Sequence, residues 1–296
     1  MLSTLLSAVV FGVVLASIIA IAAMGFTIQF GLTNVLNLSY GGVMTIGGYA
    51  AYLAVAHGLS AWLALVLGAA AGAVATLVLG HGLLRRFAAR GTKVFEMMMV
   101  TLGLGLVIDY GLQAITHNNI YQFSVLHSAP LHLGSVTVTP TQVIVTVIGL
   151  AIFVGLEALL RLTRIGKALR AMAADPALAR ACGIKTGRIV IFTWLLSGAL
   201  CGLAGVVYII NAQSIGYTTG ELFLPLVIAA AILGGAGSPS GAVLAALLMG
   251  IVTQVFSAYG NASYSTAAGF GLLVIVLLSR PSAVLSKGEN EELALS

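Results

Sequence analysis

Charged residues are scarce in this 296-residue sequence, where Asp, Glu, Lys and Arg together make up 7%. Residues 1–84 contain none of the four. A soluble domain carries about a quarter charged residues, so this chain lacks the polar groups that a water-facing surface needs. With 60% hydrophobic residues and a mean hydropathy of +1.11, the composition predicts a protein embedded in a lipid bilayer.

Cysteines and catalytic motifs are also scarce. Cys182 and Cys201 are too few for a framework of disulfides, and we expect none. A P-loop requires Gly-x-x-x-x-Gly-Lys-Ser/Thr, whereas Gly166-Lys167-Ala168 lacks both the upstream glycine and the hydroxyl. His-Glu-x-x-His and Gly-x-Ser-x-Gly do not occur. We therefore predict a protein that is not an enzyme and has no cofactor or metal of its own.

Long apolar runs predict an all-α polytopic membrane protein with eight or nine transmembrane segments, some of them short or broken. A complete span needs about 20 apolar residues. No basic residue precedes the first run, so we expect a retained span rather than a cleaved signal peptide. The nine runs cover residues 5–30, 40–57, 60–80, 94–115, 141–160, 189–212, 222–236, 240–258 and 263–280.

The positions of Lys and Arg predict the orientation. If all nine segments cross and the N-terminus lies outside, all 13 basic residues fall on the cytoplasmic side, in 85–93, in 161–188 and from Arg280 onward. The excess of basic residues, which gives a pI near 9.4, then reflects the orientation of the chain in the membrane and also favours contact with anionic lipids. It does not indicate nucleic-acid binding. We expect one transmembrane domain, residues 1–286, and a cytoplasmic tail, 287–296.

The predicted outer connection, residues 116–139, carries no formal charge. Alternating residues around a Gly-Ser turn predict a small hairpin within 131–139. His117, His127 and His132 also lie in this connection, but their spacing matches no usual metal-ligand pattern. We interpret them as ordinary polar loop residues.

The cytoplasmic loop, residues 161–188, has the signals of a short helix. Asp175 is a good N-cap, Pro176 fits the first helical position and Gly183 fits the residue after the C-cap. These signals predict a helix over 176–182, preceded by a helical stretch over 167–173. Such a short helix is unstable alone, so it must pack either on lipid headgroups or on a cytoplasmic partner.

Three separated stretches, residues 26–49, 163–184 and 231–242, resemble the branched-chain amino acid (Liv-type) permeases of ABC transporters, in the same order and spacing. The resemblance implies an importer of branched-chain or other apolar amino acids in a prokaryotic inner membrane. It further implies two ATPase subunits, a second permease and an extracytoplasmic binding protein. A related sister permease is the expectation, and a homodimer stays open. The implied ATPase-coupling residues are Gly166, Arg170, Asp175, Pro176, Arg180 and Gly183.

Short segments interrupted by Gly or Pro indicate the substrate path, because irregular backbone at membrane depth is found where it lines a cavity or is buried in protein. Two stretches qualify, 31–42 and 222–234. The alternative is close helix packing by small residues, as in 68–72 and 198–202. Family members often carry His and Glu where this chain has Tyr40 and Gly42, which leaves a more aromatic or apolar solute open. The candidate path residues are Asn34, Asn37, Ser39, Tyr40, Gly41, Gly42, Thr45 and Pro225.

Acidic residues within the spans are the remaining functional candidates. Glu157 is expected to reach Arg161 or Arg164, and Glu221 is expected at the outer mouth. Asp109 is expected to form a hydrogen bond to a neighbouring span. The alternative is an ion-coupled secondary transporter that uses Asp109, which would leave the helical cytoplasmic loop unexplained.

Overall fold

The computed structural model of the protein describes residues 2–88, 90–123, 131–133, 136–235, 237–261 and 264–279. Most of them are helical, which confirms the predicted all-α polytopic membrane protein. The predicted tail over 287–296 lies outside the described residues.

Each of the nine predicted apolar segments contains a helix. A π-helix, Val78–Leu84, continues the third of these segments. The α-helices of the described chain are α1 (Leu2–Thr33), α2 (Tyr40–Ala56), α3 (Ala61–Leu77), α4 (Arg85–Ala88), α5 (Val94–Thr116), α6 (Pro140–Leu162), α7 (Arg164–Ala174), α8 (Pro176–Ala181), α9 (Thr186–Ala212), α10 (Thr219–Leu233), α11 (Pro239–Tyr259) and α12 (Ser265–Ser279).

Six helical stretches in the described residues are long and apolar enough to cross a membrane: Thr4–Thr33, Ala61–Phe87, Val94–Thr116, Pro140–Leu162, Thr186–Ala212 and Pro239–Tyr259. The apolar helices α2, α10 and α12 are shorter, with 17, 15 and 15 residues. A 15-residue helix is about 22 Å long, less than the hydrocarbon core of about 30 Å. The predicted short segments are therefore present.

The centre of the bundle is an antiparallel pair, α1 and α11. Gly12 packs on Gly250 at one end of the pair, and Gly31 packs on Gly237 at the other. A methyl group on Gly31 would lie 2.6 Å from the Gly237 Cα, so the backbones touch without side chains between them. Such close approach is what allows membrane helices to associate.

A second glycine-lined contact joins α3 to α9. Gly68 packs on Gly202, and Gly72 packs on both Gly198 and Gly202. The small-residue packing predicted for these two patterns is confirmed.

The two described basic segments lie at the same end of the bundle. Leu84, Met97 and Trp194 form a cluster that joins the end of the π-helix to the N-terminal parts of α5 and α9 there. Residues 85–93 connect two of these helix ends, and 161–188 lead into the start of α9.

Short strands lie at the opposite end. β1 (Tyr121–Gln122) pairs with β4 (Ser214–Ile215), and β2 (Leu131–Leu133) pairs with β3 (Val136–Val138), both antiparallel. The β2–β3 pair confirms the predicted hairpin. His117 ends α5 and His132 lies in β2, whereas His127 lies outside the described residues.

Candidate functional site

The segment between α1 and α2 is irregular backbone inside the bundle. Asn34 is exposed and ends α1 with a φ of 50°. Asn37 is fully buried, and its Oδ1 accepts hydrogen bonds from the Ser39 N–H (3.2 Å) and the Ser39 hydroxyl (2.6 Å). This local turn starts α2 in the interior of the protein.

A single threonine of α5 holds this segment in place. The Thr101 hydroxyl accepts a hydrogen bond from the Leu38 N–H at 3.2 Å and donates one to the Leu36 carbonyl at 3.1 Å. Backbone groups outside a helix need such partners when no water is available. Thr101 therefore allows the chain to break its helix within the bundle.

The first turns of α2 and α10 meet, and we term Gly41, Thr45 and Gly220 the half-helix contact. A methyl group on Gly41 would lie 2.7 Å from the Gly220 carbonyl oxygen. The Gly220 N–H donates to the Thr45 hydroxyl (3.0 Å), which donates to the Gly41 carbonyl (3.3 Å). Both helix N-termini, the electropositive ends, therefore lie at one place.

The two short helices run from this contact toward opposite ends of the bundle. Gly47 of α2 packs on Gly202 in the second half of α9, so α2 runs toward the strands. Gly234, just after α10, packs on Gly241 at the start of α11, the end that holds the basic segments. Together α2 and α10 make a pair of short helices whose N-termini meet inside the bundle.

Tyr40 is part of the protein core. It is 1% exposed, and its hydroxyl lies 3.1 Å from the carbonyl oxygens of both Ala22 and Ser197. The Cys201 thiol donates to the Tyr40 carbonyl at 3.1 Å. These contacts join α1, α2 and α9, so the side chain ties three helices together.

The outward face of α10 has the opposite character. Glu221, Leu222 and Pro225 are exposed within one turn of each other, and Leu222 is 73% exposed. Gly220, next to Glu221, lies at the half-helix contact, and Glu221 follows the strand β4 by six residues. The expected place of Glu221 at the outer mouth stays a prediction.

Asp109 approaches the start of α2 from α5. A methyl group on Gly42 would lie 3.4 Å from the Asp109 Oδ1 and 2.9 Å from the Ile108 Cγ2, so a residue without a side chain is needed at Gly42. Asp109 Oδ1 is buried and has no hydrogen-bond partner within the described residues. The expected hydrogen bond between Asp109 and a neighbouring span is not found at this oxygen within the described residues.

The eight predicted path residues thus divide into two groups. Asn37, Ser39, Tyr40 and Thr45 are buried and bonded to the protein, and Gly41 and Gly42 permit close helix contacts. Asn34 and Pro225 are exposed. The structure brings six of them together around the start of α2. Their role in a substrate path stays a prediction.

Three buried polar residues that support this region were not among the predicted site residues: Gln29, Thr101 and Ser197. The Ser197 hydroxyl donates to the Gln29 Oε1 at 3.0 Å and joins α9 to α1. Each of the three is a polar residue within an apolar run of the sequence. This pattern predicts a hydrogen-bond partner on another helix.

The second candidate region is the helix pair α7–α8, which confirms the helices predicted in the loop. The Thr163 hydroxyl caps α7 by accepting a hydrogen bond from the Gly166 N–H at 3.0 Å. Gly166 packs against the Leu160 backbone in the last turn of α6, where a side chain has no room. The Arg170 guanidinium donates to the Leu160 carbonyl. These contacts fix α7 to the end of α6.

The caps of α8 match those predicted. The Asp175 carboxylate accepts hydrogen bonds from the N–H groups of Ala177 (2.7 Å) and Leu178 (3.0 Å), which hold its pKa below the usual value. Pro176 occupies the first position. Gly183 has a φ of 82° after the helix, with the Ile184 N–H donating to the Ala179 carbonyl at 3.0 Å.

The helix pair has one buried and one outward side. Leu169, Met172 and Ala179 are buried against the bundle, whereas Leu178 is 62% exposed. The Arg180 Nε donates to the Pro176 carbonyl at 3.3 Å and remains exposed. An exposed leucine between charged residues is suited to contact another protein.

A cavity of about 470 Å³ lies behind α7, between the ends of α1 and α6 and the start of α11. Glu157 and Arg161, which line it, form the predicted ion pair with an N–O distance of 2.5 Å. Arg170 lines it as well.

Long apolar helices, two short helices whose N-termini meet inside the bundle and a capped helix pair outside it define a multi-pass membrane permease. Residues 8–278 match the family described as "Branched-chain amino acid transport system / permease component", and the chain belongs to that family. It is therefore a transport component and not an enzyme.

Individual relatives agree with this family. The chain is 28% identical to the high-affinity branched-chain amino acid transport system permease protein LivH of Escherichia coli (strain K12), over 95% of each chain. BraD of Pseudomonas aeruginosa, with the same description, is also 28% identical over 95% of each chain. LivM of Salmonella typhimurium is 29% identical over 90% of this chain and 67% of LivM.

Proposed function

We propose that this chain is one permease subunit of an ABC importer that moves branched-chain or other apolar amino acids across a prokaryotic inner membrane. Family membership supports a transport component, and LivH and BraD, both described as branched-chain amino acid permeases, suggest the substrate class. No observation favours the ion-coupled alternative.

The observation that carries the proposal is the capped, partly exposed helix pair α7–α8. It packs on α1, α6 and α9 from one side and presents Leu178 on the other. In the proposed importer, two ATPase subunits bind ATP and press on such a pair in each permease. This chain then needs no cofactor of its own, because the hydrolysis occurs in the partners.

Motion of α7–α8 would reach the half-helix contact through the helices that α7 touches. α1 contacts α7 at one end and packs on α10 and α11 along its length, and α9 contacts both α2 and α7. Glycine-lined contacts can slide with little change in side-chain packing. Closure of the ATPases would therefore change which end of the permease is open.

The remaining partners follow from the same proposal. LivH and LivM are both described as permease proteins and both resemble this chain, which supports a related sister chain as the second permease. An extracytoplasmic binding protein would deliver the amino acid at the strand end. The basic end of the bundle would be cytoplasmic, with the N-terminus outside and the C-terminus inside.

Leu178→Asp tests the docking surface, because a charge at the centre of an apolar contact weakens binding strongly. We expect the variant to insert normally but to lose its ATPases during affinity purification in mild detergent, measured by quantitative mass spectrometry. Leu59→Asp is the matched control, since Leu59 is also exposed but lies at the other end of the bundle. Equal ATPase recovery with Leu178→Asp and wild type would refute docking at α8.

A further inference from the structure

Asp109 is a buried carboxylic acid without a hydrogen-bond partner at Oδ1. The residue is 5% exposed, and Oδ1 lies against the first turn of α2 at Gly42. A buried charge is strongly unfavourable unless a cation or several hydrogen bonds offset it. Ionisable residues inside a membrane bundle mark binding or transport sites.

A second acid lies close to the first. Glu221 belongs to the first turn of α10, directly after Gly220, which packs on Gly41 in the first turn of α2. A methyl group on Gly41 would lie 3.0 Å from the Glu221 backbone nitrogen, and one on the adjacent Gly42 would lie 3.4 Å from the Asp109 Oδ1, so both acidic residues border the same two glycines. Glu221 is exposed on the outward face of α10. Two negative charges close together repel each other, and a cation bound between them would relieve this repulsion.

The chain itself supplies no Lys or Arg at this depth within the described residues. Every described Lys and Arg belongs to 85–93 or 161–188, at the end of the bundle away from the half-helix contact. The N-terminus of a helix offers about half an elementary charge. Two helix ends therefore offset only part of the charge of two carboxylates.

We infer that Asp109 and Glu221 bind the ammonium group of a zwitterionic amino acid as it passes the half-helix contact, an inference that rests on the proposed function. An ammonium group donates three hydrogen bonds, which suits two carboxylates. Pro225, exposed one turn after Glu221 on the same face of α10, offers an apolar surface to the aliphatic side chain of the same solute. A metal ion fits less well, because the described residues hold no group of three His, Cys, Asp or Glu side chains.

Uptake by the complete importer in proteoliposomes, with saturating binding protein and ATP, tests the inference. Asp109→Asn and Glu221→Gln should each lower the rate of L-leucine uptake by roughly tenfold or more, because a charge-assisted hydrogen bond is lost. Asp109→Glu should recover part of the rate. Glu96→Gln is the matched control, since Glu96 lies on the same helix as Asp109 but at its exposed start.

Thermal stability of the purified importer without solute separates binding from packing. Asp109→Asn removes an unpaired buried charge, so its Tm should equal or exceed that of wild type. If Asp109→Asn lowers both the Tm and the rate of uptake, Asp109 contributes to packing and the inference is overturned. Unchanged uptake in Glu221→Gln would overturn it as well, because Glu221 is exposed and its substitution should not disturb the fold. If the wild-type importer takes up no amino acid, the proposed function itself fails.

Discussion

At the scale of single residues, glycines decide which helices can meet. Gly41 and Gly220 allow the backbones of α2 and α10 to touch, and Gly42 admits Ile108 and Asp109 of α5. A side chain at these positions would separate elements that also depend on the Thr45 hydrogen bonds. The contact therefore depends on the absence of side chains at the glycines and, in addition, on the hydrogen bonds of Thr45.

Gly41→Ala should destabilise the permease by about 1–3 kcal/mol, the usual cost of forcing extra volume into a packed interior. The obstacle is the Gly220 backbone oxygen, which lies 2.7 Å from the added methyl and cannot rotate away as a side chain could. Thermal unfolding in detergent measures the effect. Gly103→Ala is the control, because a methyl there meets no atom within 4 Å and favours the helix. Equal Tm values for the two variants would contradict the close contact.

The contacts of individual side chains were also the features that the sequence predicted least well. Polar residues near glycines predicted a substrate path, yet Tyr40 and Thr45 bond to other helices of the same chain. Their partners depend on contacts between distant positions, such as Thr45 and Gly220, which are 175 residues apart. A single sequence does not show such pairs.

At the scale of elements, the sequence was far more informative. Hydropathy predicts helix positions within a few residues, because each span must bury its own backbone polar groups. The helix pair α7–α8 could be predicted as well, since Asp175, Pro176 and Gly183 are local signals that act within one turn. The break between α1 and α2 could be expected from its glycines and asparagines, but not its attachment to Thr101.

Asp175→Ala should loosen α8, because two N–H groups lose their acceptor. We expect faster amide hydrogen exchange over residues 176–184 at pH 7, with Asp175→Asn close to wild type because Asn also caps helices. Since the folded pKa of Asp175 is lowered, the stabilisation is complete above the ordinary Asp value of about 3.9 and is lost only as the pH falls through the folded pKa. Equal exchange in Asp175→Ala and wild type would show that the cap contributes nothing.

At the scale of the whole molecule, the fold separates a glycine-lined bundle from an exposed helix pair. The half-helix contact lies inside the bundle, and α7–α8 lies at the basic end, joined to it through α1 and α9. In the proposed importer, this arrangement would give an ATPase subunit an exposed surface to press on. Family membership agrees with such a division of labour between a permease and its partners.

In the proposed importer, this chain passes apolar amino acids inward when partner ATPases hydrolyse ATP. The most direct measurement is uptake of radiolabelled L-leucine into proteoliposomes that contain the permease, its co-purifying ATPases and the binding protein. We predict accumulation that requires both ATP and the binding protein and that persists when ion gradients are collapsed. Uptake that follows an ion gradient and does not depend on ATP would contradict the proposed function and favour a secondary transporter.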